Sequence, residues 1–167
     1  IVHHLLDALL AIPSLLSALI LIAIFGPSYF NLLIAISLSL LPQLIRSSYL
    51  TVEQELSKQY IIALQLDGAT KTRLFRFGLL PNILEPTITM INRLFTLAMI
   101  EIATLGFLGF GAQLPEMELG ALIASSVDLI YLSPWLVTLP GITLFIVIMM
   151  GNVFAEGLRH AVIEGEE

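Results

Sequence analysis

The stretch PWLVTLPGITLFIVIMMGNVFA, residues 134–155, contains twenty-two residues and no charged side chain. A helix needs about 20 apolar residues to cross the hydrocarbon core of a bilayer. A segment in lipid must also satisfy its backbone hydrogen bonds internally, which favours a helix over an isolated strand. Glu156 and Arg159 follow the stretch and close it. Residues 134–155 are therefore predicted to form a transmembrane helix.

The composition of the whole chain agrees with a lipid environment. Hydrophobic residues make up 57% of the 167 residues and charged residues only 12%, against about 25% charged residues in an ordinary soluble domain. This chain has too few polar side chains to cover the surface of a soluble globule. The absence of cysteine excludes a disulfide scaffold, and the net charge of -6 argues against nucleic acid as a partner.

Three further apolar blocks occupy residues 8–25, 30–50 and 83–105. The predicted fold is therefore all-α, a polytopic transmembrane helical bundle with about four spans. Proline residues fall inside three of the predicted helices, where each removes a hydrogen bond and favours a kink. These prolines are Pro13, Pro42 and Pro140.

The basic residues predict the orientation of the spans. Five of the seven Lys and Arg residues lie within residues 46–80, whereas residues 106–133 contain none. Because basic residues are retained on the cytoplasmic side, the connection 51–82 is predicted to be cytoplasmic and the segment 106–133 periplasmic. The number of spans then places both ends of the chain in the cytoplasm. The five basic residues are Arg46, Lys58, Lys71, Arg73 and Arg76.

The connection 51–82 carries signals for two helices. Apolar residues recur at helical spacing over residues 51–66, which predicts that the second span continues as an amphipathic helix. Gly68 is suited to a left-handed C-cap that ends this helix. Thr70 would cap a short helix at about residues 71–78, and Pro81 is expected to stop it before the third span.

The short helix is expected to expose Leu74, Phe75 and Phe77 at the cytoplasmic face. One interpretation is that these side chains insert into a groove on a partner protein. The other is that the helix lies in the lipid headgroups with its basic residues on anionic lipid. Composition alone favours the second interpretation.

The spelling of the connection resembles a known family. The runs YIIALQLDGA (60–69), RLFR (73–76) and LLPN (79–82) resemble the cytoplasmic EAA loop of ATP-binding-cassette importer permeases of the dipeptide, oligopeptide and nickel branch. DALLAIPSLL (7–16) and LGFLGFGAQLP (105–115) with ELGALI (118–123) resemble other segments of that branch. The chain departs from the family pattern at Ile62, Leu64 and Asp67.

The resemblance implies a permease subunit of a type I importer, with further spans preceding residue 1. It implies four kinds of partner: nucleotide-binding ATPase subunits, a second homologous permease, a periplasmic substrate-binding protein and the lipid bilayer. Hydrolysis of ATP would belong to the ATPase subunits, so we expect no enzymatic activity and no cofactor in this chain, which has no G-x-x-x-x-G-K-[ST] run. By the same resemblance, the residues expected to couple to the ATPase are Ala63, Asp67, Gly68, Ala69, Arg73, Leu74, Phe75, Arg76 and Pro81.

The third block is unusual because it carries polar side chains within an apolar segment. A charge at mid-membrane costs about 2.5–3.5 kcal/mol on insertion scales, so Asn92, Arg93 and Glu101 need an explanation. One hypothesis is that they line a translocation pathway, with Glu101 or Asn92 touching a cationic peptide or amine. The other is that Arg93 pairs with an acid on another helix or on the partner permease. Glu85, nearer the cytoplasmic surface, is expected to be structural.

No catalytic or metal-binding pattern stands out. Adjacent residues such as His3 and His4 point about 100° apart on a helix and do not form an i, i+4 chelating pair. Ser125, Asp128 and the histidines have no recognisable catalytic spacing. Two alternatives to an ATP-driven permease stay open: a secondary carrier or channel for a small cation such as a polyamine, and a membrane anchor that only recruits a partner.

Overall fold

The computed structural model describes residues 2–112 and 117–164, and every regular element within them is helical. This confirms the all-α prediction. The elements are α1 (Val2–Leu10), α2 (Ser14–Phe25), α3 (Tyr29–Leu56), α4 (Gln59–Leu66), α5 (Lys71–Arg73), a π-helical segment (Leu74–Leu79), α6 (Leu80–Phe107), α7 (Leu119–Ser126), a 3-10 turn (Val127–Leu129) and α8 (Trp135–Glu164).

Three helical stretches are long and apolar enough to cross a membrane. They are Tyr29–Leu56, the continuous run Lys71–Phe107, and Trp135–Glu164. They contain the predicted blocks 30–50 and 83–105 and nearly all of 134–155. Pro42 and Pro140 lie inside α3 and α8 as expected, and α6 contains a further proline, Pro86.

The first predicted span is not one helix. Residues 8–25 were expected to form a single helix with Pro13 inside it, but α1 ends at Leu10 and α2 begins at Ser14. Pro13 has an extended backbone, with φ -56° and ψ 134°. A proline has no N–H to donate and disfavours the helical conformation of the residue before it. At 12 residues, α2 is about 18 Å long, shorter than the hydrocarbon core.

The turn between α2 and α3 is built from local hydrogen bonds. Gly26 has a φ of +83°, a conformation that favours glycine. Ser28 caps α3, because its hydroxyl accepts the Asn31 backbone N–H at 3.1 Å. The Asn31 side chain donates to the carbonyl oxygens of Phe25 at 2.9 Å and Gly26 at 3.1 Å. These bonds fix the turn between α2 and α3.

The buried core lies where α2, α3 and α6 meet. Ala18 and Ile22 of α2, Leu32 and Ala35 of α3, and Leu105 of α6 form one cluster. Because the start of α3 packs on the end of α6, these two helices run antiparallel. The connection between α3 and α6 and the polar side chains of α6 are therefore positioned by a packed three-helix unit.

The last helix packs on α6 but buries little of its own surface. The only residue of α8 that is buried within the described chain is Pro140. Large apolar side chains such as Phe145 and Phe154 are exposed along it. A helix with such a surface is suited to lipid or to another membrane subunit.

Candidate coupling segment and polar cavity

A glycine ends helix α4, just before residues 69–79, which we call the coupling segment. Gly68 has a φ of +77°. Its N–H donates to the Gln65 carbonyl at 3.1 Å, and the Ala69 N–H donates to the Leu64 carbonyl at 3.1 Å. These two bonds make the Schellman motif that satisfies the last carbonyls of a helix. The predicted left-handed C-cap at Gly68 is confirmed.

The next helix begins as predicted but does not end as predicted. Thr70 caps it, with the hydroxyl accepting the Arg73 N–H at 3.4 Å. Pro81 was expected to stop it, yet Lys71–Phe107 is continuous. The reason is the π-helical turn, in which the Leu80 N–H bonds to the Phe75 carbonyl, five residues back. This wider turn relieves the clash of the proline ring with the preceding turn, so the helix continues.

The coupling segment, residues 69–79, packs onto α4 through a small apolar contact. Ile61 is fully buried and Gly78 is buried opposite it. A Cβ added at Gly78 would lie 3.1 Å from Ile61 Cδ1 and 3.4 Å from Leu64 Cδ1. Leu74 also lies against Gly78 and is only partly exposed. Leu74 is therefore less exposed than Phe75 and Phe77, although it lines a pocket of about 300 Å³ together with Phe77.

A polar network joins the same two elements to the end of α3. The Tyr60 hydroxyl donates to the carboxylate of Glu55, which is buried, and lies 3.1 Å from the Gly78 carbonyl oxygen. Lys58 pairs with Glu55 at 2.7 Å. Asn82 donates to the Gly78 carbonyl oxygen at 2.8 Å. Hydrogen bonds and an ion pair thus connect α4 and the π-helical turn to the C-terminal end of α3.

The outer face of the coupling segment is apolar and basic. Phe75 and Phe77 are 53% and 71% exposed, and the Arg76 guanidinium lies 5.7 Å from the centre of the Phe77 ring. An exposed pair of aromatic rings next to arginine is typical of a protein-binding surface. The other predicted coupling residues divide by exposure: Ala63, Asp67, Gly68 and Arg73 are exposed, and Ala69 and Pro81 are partly buried.

Polar side chains of α6 face a cavity between α3 and α8. The Asn92 side-chain amide donates to Asn152 Oδ1 at 2.7 Å, and the Thr96 hydroxyl donates to the same oxygen at 3.4 Å. Arg93 is exposed and lines this cavity of about 480 Å³ together with Gln43. Asn92 and Arg93 thus both line this cavity.

Glu101 does not join them. It is 4% exposed, and one carboxylate oxygen accepts a hydrogen bond from the hydroxyl of Ser14, the first residue of α2. The other oxygen has no partner among the described residues. The three polar side chains that were expected to line one pathway are therefore separated, because Glu101 contacts the start of α2 and does not line the cavity.

Ion pairs at the other end of α6 hold α8 in place. Arg159 contacts Glu85 at 3.1 Å and Glu156 at 2.6 Å. Because these side chains are partly exposed, the pairs contribute modestly to stability. The geometry agrees with the structural role predicted for Glu85.

Sequence reasoning missed a glycine-lined pocket for Glu118. A Cβ on Gly106 would lie 1.9 Å from Glu118 Oε1, and one on Gly111 would lie 1.8 Å from the same atom. The Ala112 N–H donates to Glu118 Oε2 at 3.4 Å. Burial raises the pKa of the Glu118 carboxyl, and the bond from Ala112 opposes this. The sequence signal that could have indicated this pocket is an acidic residue in an apolar segment that follows Gly106 and Gly111.

The raised pKa of Glu118 predicts a pH effect on stability. The folded state holds this proton more tightly than the unfolded state, whose pKa is near 4.5. The stabilisation is therefore complete below that value and is lost as pH rises through the folded-state pKa. In thermal unfolding of the full-length protein from pH 4 to pH 8, the melting temperature should fall less steeply with pH for Glu118→Gln than for the wild type. Parallel curves for the two proteins would contradict the assignment.

The comparisons with known proteins agree with this architecture. The profile of the family described as "Binding-protein-dependent transport system inner membrane component" matches residues 1–163. The chain is 45% identical over 167 residues to the "Peptide transport system permease protein SapC" of Escherichia coli O6:H1, covering 100% of this chain and 56% of the relative. The SapC of Haemophilus influenzae is 37% identical over 166 residues, covering 99% and 56%.

A second group of relatives has a different name. The "Di/tripeptide transport system permease protein DppC" of Pseudomonas aeruginosa is 39% identical over 161 residues, covering 96% of this chain and 53% of the relative. The chain thus spans a little over half the length of the curated relatives it matches. It belongs to the family of inner membrane components of binding-protein-dependent transport systems.

Proposed function

We propose that this chain is part of the membrane-spanning permease subunit of an ATP-driven importer that moves peptides across the inner membrane. The names of its relatives and the family membership support this proposal. The observation that carries it is the coupling segment, which is fastened to α4 and exposes Phe75 and Phe77. An apolar surface of this kind next to a membrane helix is suited to a groove on a soluble partner.

The partners in this proposal are nucleotide-binding ATPase subunits, a second homologous permease and a periplasmic substrate-binding protein. ATP would be bound and hydrolysed by the ATPase subunits. When they close, the coupling segment would move with them. Because Lys71–Phe107 is one continuous helix, the motion would reach the cavity at Asn92 and Arg93 as a rigid-body displacement.

The orientation follows from the same proposal. The basic residues of segment 46–80 favour a cytoplasmic position for the coupling segment, where ATPase subunits would meet it. The Glu118 pocket would then lie on the periplasmic side. Both ends of this chain would be cytoplasmic if α1 and α2 cross the bilayer together, with Arg159 at the cytoplasmic end of α8.

The alternatives are less well supported by the geometry. A secondary carrier or channel has no need for an exposed aromatic pair fastened to a transmembrane helix. A small cation such as a polyamine would meet Arg93 in the cavity, which repels it. A simple anchor would have no reason to bear the cost of a mid-membrane arginine.

The first test is the variant Phe75→Asp in the full-length permease. A charge placed at the centre of an apolar contact should lower copurification of the ATPase subunits about tenfold or more. The permease should still be inserted at the wild-type amount, because Phe75 is exposed in the chain. The measurement is a pull-down from detergent extracts, with the permease quantified in the membrane fraction.

The matched control is Tyr131→Asp. Tyr131 is 98% exposed and follows α7, far along the chain from the coupling segment. It should leave copurification unchanged. Equal recovery of ATPase subunits with Phe75→Asp and the wild type would reject the coupling segment as their docking surface.

A further inference from the structure

Arg93 lies near the middle of α6, about 20 Å from either end of the helix at 1.5 Å per residue. It is exposed and borders two adjoining cavities, one of about 480 Å³ and one of about 590 Å³. Both cavities are also lined by Gln43 and Thr89. A charged side chain at this depth needs a compensating group.

The acids that line the larger cavity are already paired. Glu55 is matched by Lys58 at 2.7 Å, and Glu85 by Arg159 at 3.1 Å. Within residues 2–112 and 117–164, no ion pair involves Arg93. The cavity therefore carries a surplus positive charge at Arg93.

The surroundings of Arg93 supply hydrogen-bond donors as well as charge. Asn152 Oδ1 accepts bonds from Asn92 and Thr96, which leaves the side-chain nitrogen Nδ2 of Asn152 as a donor. The Gln43 amide lies on the facing helix. A guanidinium flanked by amides matches a carboxylate, which it binds through two parallel N–H···O bonds.

We propose that Arg93, with the amides of Gln43 and Asn152, binds the free C-terminal carboxylate of a peptide on its way through the membrane. This rests on the proposed function and names the part of the substrate that the cavity recognises. A carboxylate would neutralise the surplus charge and offset the cost of placing Arg93 near the middle of a transmembrane helix. The site would be occupied transiently, since a permease must also release its substrate.

The first experiment measures the electrostatic potential in the cavity and does not require transport. Thr89→Cys places a reporter thiol between the two cavities of the reconstituted full-length transporter, from which other cysteines have been removed. A negatively charged methanethiosulfonate reagent should label it faster than a positively charged one. Adding Arg93→Gln should lower that rate ratio about tenfold or more. Trialanine should slow labelling by the negative reagent, and trialanine amide should not.

Two further variants serve as controls. Arg93→Lys keeps the charge and should keep the rate ratio, but it should weaken protection by trialanine because the two-bond geometry is lost. Arg46→Gln removes an arginine from α3 that is not among the residues lining these cavities and should leave both readouts unchanged. Equal protection by trialanine and its amide would overturn the proposal.

The second experiment measures uptake into proteoliposomes. Arg93→Gln should lower trialanine uptake about tenfold and change uptake of the amide less than twofold. The ratio of variant to wild type cancels any preference of the binding protein. An equal loss for both peptides, together with poor assembly, would instead assign Arg93 to an ion pair with the second permease. Absence of peptide uptake by the wild type would count against the proposed function, while the labelling result would still decide the carboxylate site.

Discussion

Under the proposed function, Gly68→Val is expected to lower ATP-driven peptide uptake about tenfold or more, while the protein still inserts into the membrane. The backbone at Gly68 has a φ of +77°, where a β-branched side chain is a strained outlier. Nothing lies within 4 Å of a Cβ added there, so the strain is in the backbone and not in packing. Relieving it would break the bond from Ala69 to Leu64 and redirect the chain into the coupling segment. Gly68→Pro should act in the same way.

The control at the same position is Gly68→Asn. Asparagine tolerates the left-handed conformation better than other side chains do, so this variant should keep more than about half of the wild-type uptake. Uptake of labelled peptide and ATPase activity should be measured together, with the amount of permease in the membrane as reference. We expect uptake by Gly68→Val to fall about tenfold or more, because strain of about 1–3 kcal/mol would be relieved by moving the segment. Wild-type uptake by a stably inserted Gly68→Val protein would show that the cap does not set the coupling geometry.

The caps around the coupling segment could be predicted because they depend on local chemistry. A glycine after a periodic helix and a threonine before the next one each act on backbone groups within a few residues. Gly68 and Thr70 therefore adopt the roles that their sequence context indicates. The long apolar blocks were predictable for a similar reason, since length and hydropathy alone decide whether a helix fits a bilayer.

The sequence could not show which prolines end a helix and which lie inside one, because neighbouring elements decide their effect. Pro42 lies inside a continuous helix that packs against both α2 and α6, whereas Pro13 separates two helices. At Pro13 the break is joined to α6 by the hydrogen bond between Ser14 and Glu101, a contact between residues far apart in sequence. At Pro81 a π-helical turn lets the helix continue past the proline, and nothing in the local composition predicts that turn.

The packing partners of the acidic residues in and near α6 could not be predicted from the sequence either. Glu101 and Glu118 both occur in apolar surroundings, and sequence reasoning assigned the first to a pathway and gave the second no role. Their positions depend on which helix packs alongside. Glu101 meets the start of α2, and Glu118 fills a space left by Gly106 and Gly111. A pattern within one helix cannot identify such partners, although glycines near a lone acid are a usable clue.

Gly120→Ala is expected to cause the largest loss of folded protein. A Cβ at this position would lie 1.9 Å from the Ala103 carbonyl oxygen, a backbone atom that cannot move without disturbing α6. Helix α7 would have to shift away, which would also pull Glu118 from its pocket. Overpacking of this kind costs about 1–3 kcal/mol, occasionally more, which should lower the melting temperature of the full-length protein by several degrees.

The matched control for Gly120→Ala is Gly157→Ala in α8, where nothing lies within 4 Å of the added Cβ. Alanine has the higher helix propensity, so this change should be neutral or slightly stabilising. Thermal unfolding of both purified full-length variants, with the wild type alongside, makes the comparison. Two equal melting temperatures would mean that α7 does not approach the α6 backbone as closely as the structure places it. The Glu118 pocket would then lose its physical basis, because that pocket exists only if α7 is held against Ala103.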